Sequence, residues 1–147
     1  MENRKFKPAY DKSFLIIWVP TIILLAVGTF IAASAPIALI ILIATDLFTL
    51  YFLFSPLFGY AELRENALFV KFGFFMAREI PYNTIRSITK ERKIYADSMM
   101  SLKNTVEHVN VKHGKFDVTS ISVVTNDEFI SNLEERIKQL KMESAEN

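Results

Sequence analysis

Cysteine is absent from the 147 residues. That excludes disulfides, thiolate metal sites and a cysteine nucleophile. It fits a reducing compartment without requiring one. Histidine occurs only at His108 and His113, with no second pair at ligand spacing, so the sequence predicts no metal site. There is no Gly-x-Ser-x-Gly elbow and no glycine-rich phosphate loop among only four glycines. With no catalytic constellation, neither enzymatic activity nor a cofactor is expected. The formal net charge is +1 and the part after residue 58 is not net basic, which argues against nucleic-acid binding.

Charge is scarcest between Phe14 and Phe58. This stretch holds no Lys, Arg, Glu or His, and Asp46 is its single charged residue. A bilayer core ~30 Å thick takes roughly 20 apolar helical residues, so the stretch is long enough to cross twice. Pro36 lacks an N–H and disfavours helix at the residue before it, which puts a turn at Ser34-Ala35-Pro36. The sequence therefore predicts a transmembrane helical hairpin over 14–58, with spans Phe14–Ala33 and Ile37–Phe58. A cleaved signal peptide is the alternative, because Ala33-Ser34-Ala35 has the small residues of a cleavage site. The flank 1–13 carries Arg4, Lys5, Lys7 and Lys12, the turn carries no basic residue, and Arg64, Lys71 and Arg78 follow the second span. Basic flanks face the cytoplasm, so both ends are expected there, in the cell membrane. The segment 1–13 is expected to be poorly ordered or to lie on the lipid surface.

Within the spans, Trp18 suits an interface. Gly28 and Ala32 form a small-xxx-small pair that lets another helix approach, either the second span or a second copy in a homodimer. Asp46 falls about eleven residues past the turn, near mid-bilayer, where a carboxylate costs ~2.5–3.5 kcal/mol. It is either protonated, bonded to a hydroxyl such as Thr21, Thr45 or Thr49, or met by a partner subunit or ligand. It is the candidate intramembrane functional residue.

From residue 59 the pattern changes to short alternating segments between polar turns, which indicates an antiparallel sheet or barrel. Expected strands lie at 61–63, 67–72, 76–80, 84–89 and 106–111, then at 116–118 and 121–124, with a loop over Glu91–Ser101. Ile85 and Ile88 both point inward only if a bulge separates them. Thr125 and Glu128 offer a capping box for a last helix whose apolar stripe is Phe129, Ile130, Leu133, Ile137 and Leu140, with a frayed tail from Ser144.

Strands followed by one closing helix is the order of a pleckstrin-homology (PH)-like barrel. The segments Gly-Tyr-Ala-Glu-Leu (59–63), Ala-Leu-Phe-Val-Lys-Phe-Gly-Phe-Phe (67–75), Arg-Glu-Ile-Pro-Tyr-Asn-Thr-Ile-Arg-Ser-Ile (78–88), His-Gly-Lys-Phe-Asp (113–117) and Ile-Ser-Val-Val-Thr-Asn-Asp-Glu-Phe-Ile-Ser-Asn-Leu (121–133) resemble the bacterial PH-like family. Val124 stands where that family often has Pro. The chain is similar to its membrane-anchored sublancin-immunity type. The resemblance implies an N-terminal transmembrane hairpin and an α+β PH-like domain over 59–147, an antiparallel barrel or sandwich capped by a C-terminal helix. It also implies bacteriocin self-immunity by stoichiometric binding or target masking. The partners expected are the bilayer and a bacteriocin peptide or membrane protein. A non-enzymatic scaffold, docking a cytoplasmic partner or anionic lipid, is the alternative.

Charge is unevenly placed. Between Arg64 and Lys115 basic residues outnumber acidic ones ten to five, and from Phe116 onward acidic outnumber basic seven to three. A basic face beneath an anionic leaflet should turn towards the lipid, which makes Arg78, Arg92 and Lys93 candidate lipid or partner contacts.

Overall fold

The computed structural model describes residues 3–97 and 101–146. The expectations placed on residues 1–2, on 98–100 of the Glu91–Ser101 loop and on Asn147 of the tail lie outside the described residues.

Helix α1 (Lys12–Ile31) begins at Asp11, whose carboxylate accepts from the Ser13 N–H at 3.0 Å and satisfies one of the helix's orphan donors. The chain reverses through a 3₁₀ turn at Ala32–Ser34. Helix α2 (Pro36–Phe54) then starts with Pro36 at its first position, where the missing N–H costs nothing. The helices run antiparallel, with the Trp18 and Phe54 rings edge-to-face at 4.5 Å. Lys12–Ser34 is long and apolar enough to cross a membrane, and only 6% of its apolar window is buried. A core helix of a water-soluble domain hides its apolar face, so this one is not packed as such. The apolar run counted in α2, Pro36–Tyr51, is shorter. Gly28 is not where the two helices meet, because a Cβ placed on it would find nothing within 4 Å.

Residues 1–13 were expected to be loose, and here the structure differs. Strand β1 (Arg4–Phe6) pairs antiparallel with β2 (Tyr60–Leu63), setting Arg4 opposite Leu63 and Phe6 opposite Ala61. Phe6 is buried, its ring edge-to-face with Phe129 at 5.2 Å. Arg4 donates to Asn132 Oδ1 at 2.9 Å and pairs with Glu128. Beyond β1, Pro8 bridges Val123, with the Ala9 N–H on Ser122 O at 2.9 Å. Burial of one aromatic ring and a shared backbone ladder order a segment whose composition is polar. Removing α1 as a signal peptide would remove this strand as well.

Two antiparallel sheets follow. One has the order β1-β2-β3-β4, with β3 at Ala67–Lys71 and β4 at Ala77–Pro81; the other has β5-β6-β7, at Ile85–Arg92, Glu107–His113 and Asp117–Ile121. The expected barrel is not closed, because β4 and β5 do not pair. Pro81 ends β4 without a ladder donor, and a 3₁₀ turn at Tyr82–Thr84 swings the chain into the second sheet. Tyr82 is buried in that corner, and its hydroxyl donates to Arg64 O at 2.7 Å, fastening the β2–β3 turn. Burial pushes this phenol up to about 12, although Arg136 acts in the opposite sense. The bulge needed by Ile85 and Ile88 is present, as a register shift between Ile85 and Ser87. Residues 121–124 do not form a separate strand; Ile121 ends β7.

Helix α3 (Asn126–Glu146) lays Phe129 and Leu133, both fully buried, over the open side of the sheets. Its start departs from the expected capping box. Glu128 is drawn to Arg4, and the Asn126 side chain accepts from the Val123 N–H at 3.0 Å. It also continues past Ser144, where a frayed tail was expected.

The end of α2 is seated tightly on the domain. Ser55, just past α2, is buried and donates to Phe72 O at 3.2 Å. A Cβ on Gly73 would come within 1.6 Å of Ser55 Oγ and 2.9 Å of its Cβ. Only glycine lets the backbone approach so closely. In full-length protein in detergent, Gly73→Ala should lower stability by ~1–3 kcal/mol, as overpacking does. Leu133→Ala should cost ~2–5 kcal/mol, as large-to-small core changes do. Thermal or chemical unfolding measures both, and a parental melting profile for Leu133→Ala would contradict the packing of α3.

Candidate functional site at the helix–domain junction

Where α1 begins and α2 ends, aromatic residues form a collar. The tip of the β3–β4 hairpin brings Phe74 to 4.2 Å from the Phe58 ring and stacks Phe75 on Tyr51 at 6.0 Å. Phe75 is 87% exposed. Across the helix pair, the Phe14 ring lies 4.4 Å from Trp18. There an open groove of about 520 Å³ is lined by Tyr10, Asp11, Lys12, Phe14, Trp18 and Leu57. Burial pushes the Tyr10 hydroxyl up to about 12. At the ends of helices that cross a bilayer, aromatic rings settle between hydrocarbon and water. The sequence singled out Trp18 but ended the expected strand at residue 72, and gave Phe74 and Phe75 no role of their own.

Asp46 accepts a hydrogen bond from Thr29 of α1. Two of the three expected donors bond within α2 instead, Thr45 back to Ile41 O and Thr49 to Thr45 O, each at 2.9 Å. The carboxyl therefore ties one helix to the other.

The three candidate cations do not converge. Arg78 on β4 meets Asp117 at 3.4 Å. Arg92 is exposed at the far end of β5, opposite Glu107. Lys93, just beyond it, lies 2.5 Å from Glu91 and 3.3 Å from Asp97. Two of the three are thus engaged in ion pairs, and β5 separates the first from the others.

The described residues between β5 and β6, 93–97 and 101–106, fold back over the polar face of the second sheet, with Leu102 bridging Ile121. Beneath them lies a polar layer. Asn110 donates to Asp97 Oδ2 at 2.6 Å and accepts from Ser120 at 2.6 Å. The Lys93 ammonium, assisted by Asn110 and Thr89 and opposed by desolvation, holds the Glu91 carboxyl down at about 2. Desolvation also lowers His108, whose Nδ1 lies 3.1 Å from Val106 O. His113 is lowered for the same reason, with Nε2 2.9 Å from the Thr119 hydroxyl. Asp11 reaches this layer from the start of α1 and accepts from the Val106 N–H at 2.7 Å. Desolvation works against its charged form, but hydrogen bonds from Ser13, Val106 and Phe14 outweigh it and hold the carboxyl below its usual value.

Two antiparallel sheets meeting at a corner, with a C-terminal helix across the opening, define a PH-like domain. The chain belongs to the bacterial PH domain family, whose model matches residues 60–137. No curated protein and no solved structure matches the chain.

Glu91, Asp11, His108 and His113 all sit below their ordinary values in the folded state. Each binds protons more readily when unfolded, so their contribution is complete above about pH 6.5 and is lost as pH falls. Unfolding midpoints should decline first through the histidine range and again below about pH 4.5, towards the folded Glu91 value of about 2. A flat profile from pH 8 to pH 4 would contradict the arrangement. Asp46→Asn, which can still accept from Thr29, should retain the parental melting temperature. Asp46→Leu should lower it, because Thr29 then loses its acceptor.

Proposed function

We propose that this protein is a membrane-anchored bacterial PH-domain protein that confers self-immunity to a bacteriocin, in the manner of the sublancin-immunity type it resembles. It works by stoichiometric binding or target masking at the cytoplasmic membrane. The observation carrying this reading is the position of the open groove beside Phe14, Trp18 and Leu57. It lies at the base of the helix pair, level with the aromatic collar, where a peptide leaving the bilayer would meet an apolar seat. In this reading both helices span the membrane. β1 precedes them and β2 follows them in one sheet, so both ends of the pair share a side. The basic residues Arg4, Lys5, Lys7 and Lys12 support a cytoplasmic location for that side. Asp46 and Thr29 would then hold the spans together, and Gly28, whose surroundings are open, together with Ala32 would be available to a second copy.

A second reading, a scaffold, is favoured by a different observation. Among the described residues β5 is an edge strand, and it borders a groove of about 320 Å³ against α3, lined by Ile85, Ser87, Ile88, Ile137 and Lys138 among others. An open strand edge beside a helix accepts an extended peptide by strand addition.

Expression in a sensitive strain, challenged with a panel of bacteriocins, separates the two. Immunity predicts protection that rises with expression and saturates with peptide dose. Leu57→Arg in the groove should abolish it at unchanged membrane level, while Ser87→Arg at the β5 edge should leave it intact. No protection from any peptide, with the protein verified in the membrane, would favour the scaffold. Reporters at Ser34 and Asn147 should report outside and inside, respectively. An external C-terminus overturns both readings.

A further inference from the structure

We propose that Glu91, Asp97 and His108 form a binding site for one divalent transition cation of the zinc class beneath the β5–β6 segment. Sheet register sets Glu91 directly opposite His108, and the segment after β5 folds back to bring Asp97 beside them. Two carboxylate oxygens and a ring nitrogen lie within 4.8 Å of one another. A pair of histidines at ligand spacing, which the sequence lacks, is not needed for this donor set.

His108 supplies the independent sign of a ligand. The residue is 0% exposed. A carbonyl oxygen can only accept, so the contact with Val106 O places the proton on Nδ1. Nε2 is then left with a lone pair, buried and without a hydrogen-bond partner. Native proteins rarely leave such a group unanswered. An imidazole that donates Nδ1–H to a backbone carbonyl and presents Nε2 is the oriented, neutral form that binds metals.

The carboxylates are oriented in the same way. Asn110 fixes Asp97 through Oδ2 at 2.6 Å, and Ser120 in turn fixes Asn110. Thr89 donates to Glu91 Oε1 at 3.2 Å. The Lys93 ammonium contacts both acids, at 2.5 and 3.3 Å, and leaves Nε2 unanswered. A divalent cation satisfies all three donors and would displace that ammonium. One nitrogen and two oxygens, with no sulfur, suit zinc or manganese. The nitrogen argues against calcium and magnesium, which take oxygen shells. The bound ion would pin the β5–β6 segment, which carries Ile94 and Lys103 to the start of α1 beside Ser13 and Phe14.

The test uses chelator-stripped full-length protein in detergent, titrated with zinc chloride by calorimetry and equilibrium dialysis. One zinc should bind per chain and raise the melting temperature. Asp97 lies at the surface, so Asp97→Asn should fold normally and weaken binding by roughly tenfold or more. Lys93→Met removes the competing ammonium and should tighten binding by a similar factor. Cadmium-113 NMR on the cadmium-loaded protein should show a shift in the nitrogen–oxygen range, lost in His108→Gln. If neither wild type nor Lys93→Met takes up zinc, the cluster is an ion-pair network only and the proposal fails. Zinc bound with an affinity unchanged in Asp97→Asn and Glu91→Gln also overturns it, whatever His108→Gln does to folding.

Discussion

Three residues of backbone pairing, Arg4–Phe6 against Ala61–Leu63, hold the molecule to a single arrangement. The two strands lie on either side of the whole helix pair in sequence, so their ladder returns both ends of that pair to one domain. Phe6 adds an aromatic ring to the core under Phe129, and Arg4 adds an ion pair to α3. Asp11 then both caps α1 and binds the Val106 N–H. On the far side of the pair, Ser55 fits against Gly73. The helices therefore leave the domain through two clamped points rather than through linkers.

The polar layer under the β5–β6 segment is the other organising feature. A half-open sandwich has two faces per sheet, and here described residues that follow β5 lie over the outer face of the second sheet, with Asp97 on Asn110. The covered positions are His108, Asn110 and Ser120 rather than aliphatic residues. Burying polar groups costs free energy unless each is paired. The chain from Ser120 through Asn110 and Asp97 to Lys93 and Glu91 provides most of that pairing.

Much of the scaffold was legible because its signals are local. Pro36 announced the reversal between the helices, Ile85 and Ile88 demanded a bulge, and the spacing of Phe129 and Leu133 fixed the inner face of α3. The Ile80-Pro81-Tyr82 motif proved to be a packing device, with Tyr82 locking a corner. Strand β1 was illegible because three residues are too few to show alternation and their partner lies beyond both helices. Thr29 could not be chosen over Thr45 or Thr49 without the register of α1 on α2, since the latter two bond within their own helix. Glu91, Asp97 and His108 are brought together by a strand register and a returning segment, neither of which has a sequence period. Arg78, Arg92 and Lys93 were marked by charge alone, which does not reveal that Arg78 and Lys93 are already paired.

The order of strands along the chain gives the fold a timetable. During synthesis β1 emerges before both apolar helices, and its partner β2 appears only after them. Closing a loop of that length costs entropy that grows only slowly with its size, and helices packed side by side bring their ends together beforehand. A chain whose helices fail to pair would carry β1 far from β2, leaving Tyr60–Leu63 as a bare edge and a gap where Phe6 belongs. Unpaired edges of that kind recruit other chains. Completion of the domain in this sense depends on the pairing of the two helices, through a strand that belongs to the domain but is translated before them.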